Sequence, residues 1–321
     1  MPAIAASAPG KIILFGEHAV VYTRPAIAVP VTQVQARVTV TARVRAPAGE
    51  VLLQAPDIQL ESRLDALPAG HPLAIGLAGV RTALGMPRFP ALTIRIQSTI
   101  PVASGLGSGA AVTIALVRAV TGFLRQPLAD EQVNAIAFSV EKAHHGTPSG
   151  IDNTVITYRR PVYFVRGMPI EKLAVPAAFT LLIGDTGVQS PTGAVVGDVR
   201  ARWQAEPERY ERLFDEVGAI VQEARKVIET GQPGSLGLLL DRNHQLLQEL
   251  GVSSPELDRL VETARRAGAL GAKLSGGGRG GNMIALVTSE NSDSVRLALT
   301  TAGAVRVIST QVAPDDLPSI V

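Results

Sequence analysis

Apolar and polar residues alternate most clearly over 33–44, QVQARVTVTARV, where every second residue is Val or Ala. A period of two places these side chains on one face of a β-strand, with Gln, Arg and Thr on the other. The alternation returns over 92–96 (LTIRI). Short apolar runs predict further strands at 179–186 (FTLLIGDT), 283–287 (MIALV) and 306–312 (RVISTQV).

Helical spacing separates these strands. Helices are predicted near 72–85, at about 108–124 and at 130–144, and the Pro- and Ala-rich stretch before the first of them predicts a loop. In the second half, apolar residues three and four apart predict a long amphipathic helix: Leu213, Val217, Ile220, Ala224 and Val227. Two more helices to about 268 and a short one after MIALV complete the pattern.

The order of these elements predicts an α+β protein in two parts. Pro and Gly interrupt the chain around 162–178, so we predict an N-terminal domain over 1–168 and a C-terminal domain over 169–321. A length of 321 residues, 46% hydrophobic and 18% charged, is enough for two cores.

Composition excludes several classes of function. There is no cysteine, so disulfides, a thiolate nucleophile and cysteine-bound zinc are excluded. The net charge of +2 comes from charges that alternate in sign, which argues against a nucleic-acid partner. No apolar stretch is long enough to span a bilayer, and the N-terminus lacks the pattern of a signal peptide, so we expect a cytoplasmic protein without a membrane partner.

Three charged or titratable residues interrupt the apolar segment APGKIILFGEHAVVY, residues 8–22: Lys11, Glu17 and His18. A buried lysine is costly unless it is paired. The segment is therefore either an exposed strand end or a buried strand whose charges serve a ligand.

A glycine loop, SGLGSGA at 104–110, leads into the helix predicted from 108. Glycines allow close backbone approach, and the N-terminus of a helix directs unpaired N–H groups at an anion. The loop lacks both the Walker pattern and the dinucleotide fingerprint. By itself it fits a phosphate site and a tight packing turn equally well.

Two further segments carry candidate chemistry. EKAHHGTPSGIDN, 141–153, places Glu141 and Asp152 on either side of a Pro-Ser-Gly bend, where one carboxylate could hold a divalent cation and the other a proton or hydroxyl. The alternative is a solvated Glu141 and a helix-capping Asp152. His144 and His145 suit either a metal or a helix C-terminus. The segment KLSGGGRGG, 273–281, is either a flexible linker or an anchored loop that closes over an anionic ligand.

These four segments, in this order, resemble the motifs of the GHMP kinases over 8–283 of the chain. The resemblance implies a GHMP kinase fold: an N-terminal domain like ribosomal protein S5 domain 2, with a left-handed βαβ unit, and a ferredoxin-like C-terminal domain, with the active site in the cleft between them. It implies a homodimer that uses ATP and Mg²⁺. The HGxPSGxDN form favours members that phosphorylate the 5-hydroxyl of mevalonate.

The resemblance also implies roles for individual residues. Asp152 would face the mevalonate hydroxyl as the catalytic carboxylate, with Lys11 beside it. Glu141 and Ser108 would hold magnesium. ATP would bind Ser104, Gly105, Leu106, Gly107, Ser108, Gly109 and Ala110. Mevalonate would bind Glu17, His18, Ser149 and Thr192.

The chain departs from the family pattern at two positions. Gly109 stands where many members have a serine that contacts magnesium, so Ser108 or water would have to replace it. Arg279 interrupts a run that is often all glycine, where it would contact an anion or point to solvent. Phosphomevalonate kinase, mevalonate 3-kinase and a catalytically silent nucleotide sensor remain alternative functions.

Overall fold

The computed structural model describes residues 2–101, 104–145, 148–169, 171–190 and 192–313, apart from the side chain of residue 145. The EKAHHGTPSGIDN segment therefore lies partly outside the described residues, at 146 and 147. Strands are β1 Ile4–Phe15, β2 Ala26–Ala42, β3 Val51–Ala55, β4 Leu60–Arg63, β5 Leu92–Ser98, β6 Val162–Phe164, β7 Glu171–Lys172, β8 Phe179–Asp185, β9 Gly271–Ser275, β10 Asn282–Val287 and β11 Arg306–Val312. Helices are α1 Pro72–Ala83, α2 Ser108–Phe123, α3 Asp130–His145, α4 Ile151–Tyr158, α5 Thr192–Ala205, α6 Pro207–Glu229, α7 Leu236–Glu249, α8 Pro255–Arg266 and α9 Ser292–Thr301.

The chain divides into two compact units, each built from separated segments. Unit 1 comprises Met1–Gly10, Val34–Val102 and Leu106–Arg159. Unit 2 comprises Lys11–Gln33, Ala103–Gly105 and Arg160–Val321. Strands β1 and β2 each contribute residues to both units, so neither unit is one continuous segment of the chain. The domain boundary predicted after 168 stays a prediction.

Unit 1 packs helices α1 to α4 with a mixed sheet. The second half of β2 pairs antiparallel with β5, β5 pairs parallel with β3, and β3 pairs antiparallel with β4. The parallel pair β3 and β5 is joined by chain that includes α1, which is a βαβ connection. Helix α2 is buried on nearly every side, and this explains its uninterrupted run of small and aliphatic residues.

Unit 2 contains an antiparallel sheet in the order β11, β8, β10, β9. Helices separate β8 from β9, and α9 separates β10 from β11, so the connectivity is the βαββαβ pattern of ferredoxin-like folds. In the same unit, the start of β2 pairs with β6, and β6 pairs with β7. The α+β class and the ferredoxin-like expectation are confirmed.

Helix α7 crosses strand β9 at backbone contact. A Cβ added to Gly237 would lie 2.1 Å from the carbonyl oxygen of Leu270, and one added to Gly271 would lie 2.0 Å from that of Gly237. Real Cβ atoms do not approach other atoms so closely. Both positions therefore require glycine for reasons of space, and α7 lies unusually near the strand.

Three predictions needed correction. Strand β2 begins at Ala26 and not at 33, because AIAVPV is buried on both faces and shows no alternation. The stretch predicted as a loop before α1 contains β3 and β4, strands too short for a periodic signal. The helix α4 after the Pro-Ser-Gly bend was not predicted. No helix in the described part of the chain is both long and apolar enough to cross a membrane.

Candidate active site

The charged residues of the first motif are buried. Lys11, Glu17 and His18 in unit 2 expose 4%, 1% and 5% of their surface. The segment is therefore a buried strand end that carries charge, and the interpretation as an exposed strand end is wrong. Burial at this level requires partners for each charge.

Glu17 has its partner on strand β9. Its carboxylate accepts a hydrogen bond from the ammonium of Lys273, which is completely buried, and the same ammonium donates to the carbonyl of Leu274 at 2.7 Å. The other carboxylate oxygen of Glu17 has no hydrogen-bond partner among the described residues. Burial lowers the pKa of Lys273, and the Glu17 carboxylate opposes this shift.

His18 lies against the glycine-rich loop that follows β9. Its Nε2 donates to the carbonyl of Gly277 at 3.1 Å, since a carbonyl oxygen can only accept. Burial, together with the charges of Arg279 and Lys273, lowers the pKa of His18 to about 4. His18 is therefore neutral near neutral pH, with the proton on Nε2.

The turn between Lys11 and His18 depends on one glycine. Gly16 has a φ of 99°, and an added Cβ would lie 2.5 Å from the Cα of Ala26. Only glycine satisfies both the positive φ and the close approach. His18 itself has a φ of 61°, a conformation that an L-residue adopts only where its surroundings hold it.

The KLSGGGRGG loop is anchored, so the interpretation as a flexible linker is wrong. The hydroxyl of Ser190 donates to the carbonyl of Gly278 at 2.7 Å, and the amide of Arg279 donates to the carbonyl of Val252 at 2.8 Å. The guanidinium of Arg279 forms an ion pair with Asp198 at 2.5 Å. Arg279 thus holds the loop to α5.

Thr192 lies at the same loop. A Cβ added to Gly277 would lie 2.6 Å from the Thr192 hydroxyl, and Gly277 also accepts the hydrogen bond of His18. Two of the sequence-predicted substrate residues, His18 and Thr192, are therefore brought to one glycine of unit 2.

In unit 1, the glycine loop forms the start of α2. Gly107 is the N-cap residue with a φ of 75°, and Ser108 is the first helical residue. The backbone N–H groups of the first turn have no acceptor within the helix, which favours an anion here. Leu106 and Ala110 are each 1% exposed and hold the loop in the core. The adjoining Ser104 belongs to unit 2, where its carbonyl accepts from Asn282 at 2.5 Å.

Glu141 lies beside this turn. Its Oε1 is 3.4 Å from the position that a Cβ would take at Gly109. Gly109 therefore leaves open the space that a serine side chain would occupy next to a carboxylate. A carboxylate beside a phosphate-type helix N-terminus fits magnesium, which proteins hold with one or two carboxylates and the phosphates themselves. No cluster of three or more His, Asp or Glu side chains suited to a metal occurs in the ranges described.

Asp152 is in the first turn of α4, after Gly150 with a φ of 89°. The hydroxyl of Ser149 accepts from the amide of Ile151 at 3.3 Å at the start of this helix. Asn153 is bound to Asn134 at 2.6 Å and fixes this end of the helix to α3. Asp152 is half-buried at a helix end that is anchored to α3.

Several residues that hold the site were not singled out from the sequence. They are Lys273, which pairs with Glu17; Ser190 and Asp198, which anchor the loop; and Asn282, which binds Ser104. The signal for Lys273 was present, since a lysine in a short apolar strand beside a glycine run needs a buried partner. The others are ordinary polar residues whose roles depend on tertiary contacts.

Comparison with known proteins finds similarity in both halves of the chain. Residues 73–160 match the model of the GHMP kinases N-terminal domain, and 224–305 match that of the GHMP kinases C-terminal region. The mevalonate kinase of Thermococcus sibiricus is 36% identical over 323 residues, with 95% of each chain covered.

Solved structures show the same similarity over the whole chain. The crystal structure of L. major mevalonate kinase in complex with R-mevalonate has a TM-score of 0.83 at 32% identity and covers 98% of this chain and 97% of that one. The Methanococcus jannaschii mevalonate kinase has a TM-score of 0.84 at 27% identity, with 96% and 98% covered.

Proposed function

The chain belongs to the GHMP kinase family, and from this membership we propose that it transfers the γ-phosphoryl group of ATP to the 5-hydroxyl of mevalonate. One structural observation carries the phosphoryl-transfer part: the left-handed turn at Gly107 opens a buried helix, and the Glu141 carboxylate lies against its first turn. The choice of mevalonate is supported by relatives of that name over almost the full chain.

The first turn of α2 would bind the nucleotide phosphates. Its N–H groups and the positive end of the helix dipole attract negative charge, and Gly105 and Gly107 let the backbone approach closely. Ser104, Leu106 and Ala110 shape the loop through packing. The hydroxyl of Ser108, at the first helical position, is the side-chain donor of this turn.

Glu141 and Ser108 would hold Mg²⁺. When bound, the ion neutralises the charge of the phosphate oxygens and orients them for transfer. Because position 109 has no side chain, Glu141 would supply the protein charge beside this turn, and water would have to complete the shell.

Asp152 and Lys11 would carry the transfer itself. The mevalonate oxygen forms a bond to the γ-phosphorus as the bond from that phosphorus to the β–γ bridging oxygen breaks, and ADP leaves with the electron pair. Asp152 orients the hydroxyl and accepts its proton, and Lys11 stabilises the charge on the transferring group. His18, Thr192, Ser149 and Glu17 would form the surroundings of mevalonate.

A coupled ADP-release assay tests the proposal with mevalonate, phosphomevalonate, homoserine and galactose as separate substrates. We expect turnover with mevalonate and little with the other three. Phosphorus NMR of the product then separates a 5-phosphate from a 3-phosphate. Turnover only with phosphomevalonate would show that the substrate is phosphomevalonate and not mevalonate. ATP binding without turnover on any of the four substrates would support the nucleotide sensor.

A further inference from the structure

We propose that Lys273 is a positioning residue of the reaction, acting through Glu17 to fix the segment that carries Lys11 and His18. The inference rests on the proposed function, since it assigns a role within that site. The observation behind it is that strand β9 and its following loop hold the first motif at three successive points.

The three points lie along one short stretch of unit 2. The ammonium of Lys273 binds the carboxylate of Glu17, the hydroxyl of Ser275 donates to the carbonyl of Ile13 at 2.7 Å, and the carbonyl of Gly277 accepts from His18 at 3.1 Å. Residues two apart on a strand point to the same face. Lys273 and Ser275 therefore present one face of β9 to the segment between Lys11 and His18.

Backbone groups on the free edge of β9, away from β10, are fixed by helices. The amide of Leu274 donates to Nδ1 of His244 on α7 at 3.3 Å. Arg265 on α8 donates to the carbonyl of Ala272 at 2.8 Å and to Asp241 at 2.6 Å. The strand is thus held by contacts with both α7 and α8 in addition to its pairing with β10, so no single one of these contacts sets its position.

The buried pair specifies geometry more than it adds stability. Removing two charges from water costs about as much as their attraction returns, so an apolar pair of similar volume would serve a core equally well. One oxygen of the Glu17 carboxylate is bound by Lys273, and the other has no hydrogen-bond partner among the described residues. Because Glu17 follows Gly16 directly, its ion pair with Lys273 holds the turn at Gly16 in one position relative to β9.

The test compares Lys273→Met with Arg265→Met in the full chain. Both variants remove a cationic side chain that binds a carboxylate and a backbone carbonyl at β9, but the carboxylate that Arg265 binds is that of Asp241 on α7 and not one of the first motif. Misplacement of a catalytic group by about 1 Å costs about 10²-fold in rate. We therefore expect Lys273→Met to lower kcat about 10²-fold with the KM for ATP changed less than about two-fold, and Arg265→Met to keep kcat within about three-fold.

A second measurement does not depend on activity. Hydrogen exchange should accelerate in the peptides covering residues 12–20 of Lys273→Met, and those peptides should keep wild-type protection in Arg265→Met. If wild type does not phosphorylate mevalonate, the proposed function fails while exchange still tests the contact. Unchanged exchange at 12–20 would overturn the positioning role.

Lys273→Arg covers the case in which the methionine variant does not fold. Arginine keeps the charge but places a planar, bulkier group in a completely buried site. We expect it to fold with a lowered melting temperature, since a larger group enters a filled site, and to lose at least about five-fold in kcat, because the Glu17 carboxylate shifts. Wild-type kcat in Lys273→Arg, or equal losses in Lys273→Met and Arg265→Met, would refute the inference.

Discussion

Acidification should destabilise this protein through two buried histidines. His18 and His244 are 5% and 2% exposed, and burial is the main cause that lowers the pKa of each from 6.5 to about 4. Nδ1 of His244 already accepts from the amide of Leu274, so a proton there would face an N–H group. Nearby Arg265 further disfavours the charged form.

The sign of the change in stability with pH follows from which state, folded or unfolded, binds the protons. Between about pH 6.5 and pH 4 the unfolded chain carries protons on these histidines and the folded chain does not, so stability falls as the pH falls. Each group contributes ~1.4 kcal/mol per pH unit in that window. From about pH 7 to about pH 5, each histidine therefore costs about 2 kcal/mol, and the pair costs about 4 kcal/mol, a large part of a typical free energy of unfolding.

Urea unfolding at about pH 7, 6 and 5 measures this loss, with His244→Asn as the matched variant. The Asn side-chain oxygen can accept from Leu274 but does not titrate, so the pH-dependent part should fall by about half, whatever the variant's stability near neutral pH. A wild-type loss below about 1 kcal/mol, or an undiminished loss in the variant, would refute the assignment of neutral buried histidines.

Three further predictions concern the candidate site. Asp152→Asn should lower kcat about 10² to 10⁴-fold while calorimetry shows ATP binding retained, because the hydroxyl loses its proton acceptor; near wild-type turnover would contradict the role. Lys11→Met should lower kcat by a similar factor with an unchanged Kd for ATP, since it removes charge stabilisation alone; a loss confined to KM would argue against this. Gly109→Ser places a hydroxyl next to Glu141 Oε1 and should lower the magnesium concentration needed for half-maximal activity; an unaltered magnesium titration would place the ion elsewhere.

Sequence periodicity predicted the elements that have one polar face. Helix α6 covers the predicted positions of Leu213 to Val227, and β5 covers the alternating run predicted over 92–96. In such elements the sequence pattern itself shows which face is buried, because one face meets the core and the other meets water. The start of β2 at Ala26 has no polar face, so the same reasoning could not find it.

The candidate site was predictable only in part. Glycines at 16 and 107 can be read as sites of unusual backbone geometry, and both have a positive φ. The pairing of Glu17 with Lys273 could not be predicted from the sequence, because 256 positions separate the two residues and no local pattern connects them. The neutral state of His18 likewise depends on burial by chain that lies far along the sequence.

The contact between Gly237 and Gly271 has a consequence for engineering. Each glycine meets main-chain atoms of the other segment, so neither position can be relieved by trimming a neighbouring side chain. A saturation library at the two sites should recover glycine at both, singly and in combination. Larger side chains between α7 and β9 would push His244 away from Leu274 and break the hydrogen bond between them. Designs for higher heat resistance should therefore add volume on the solvent side of α7, where Leu238 is exposed.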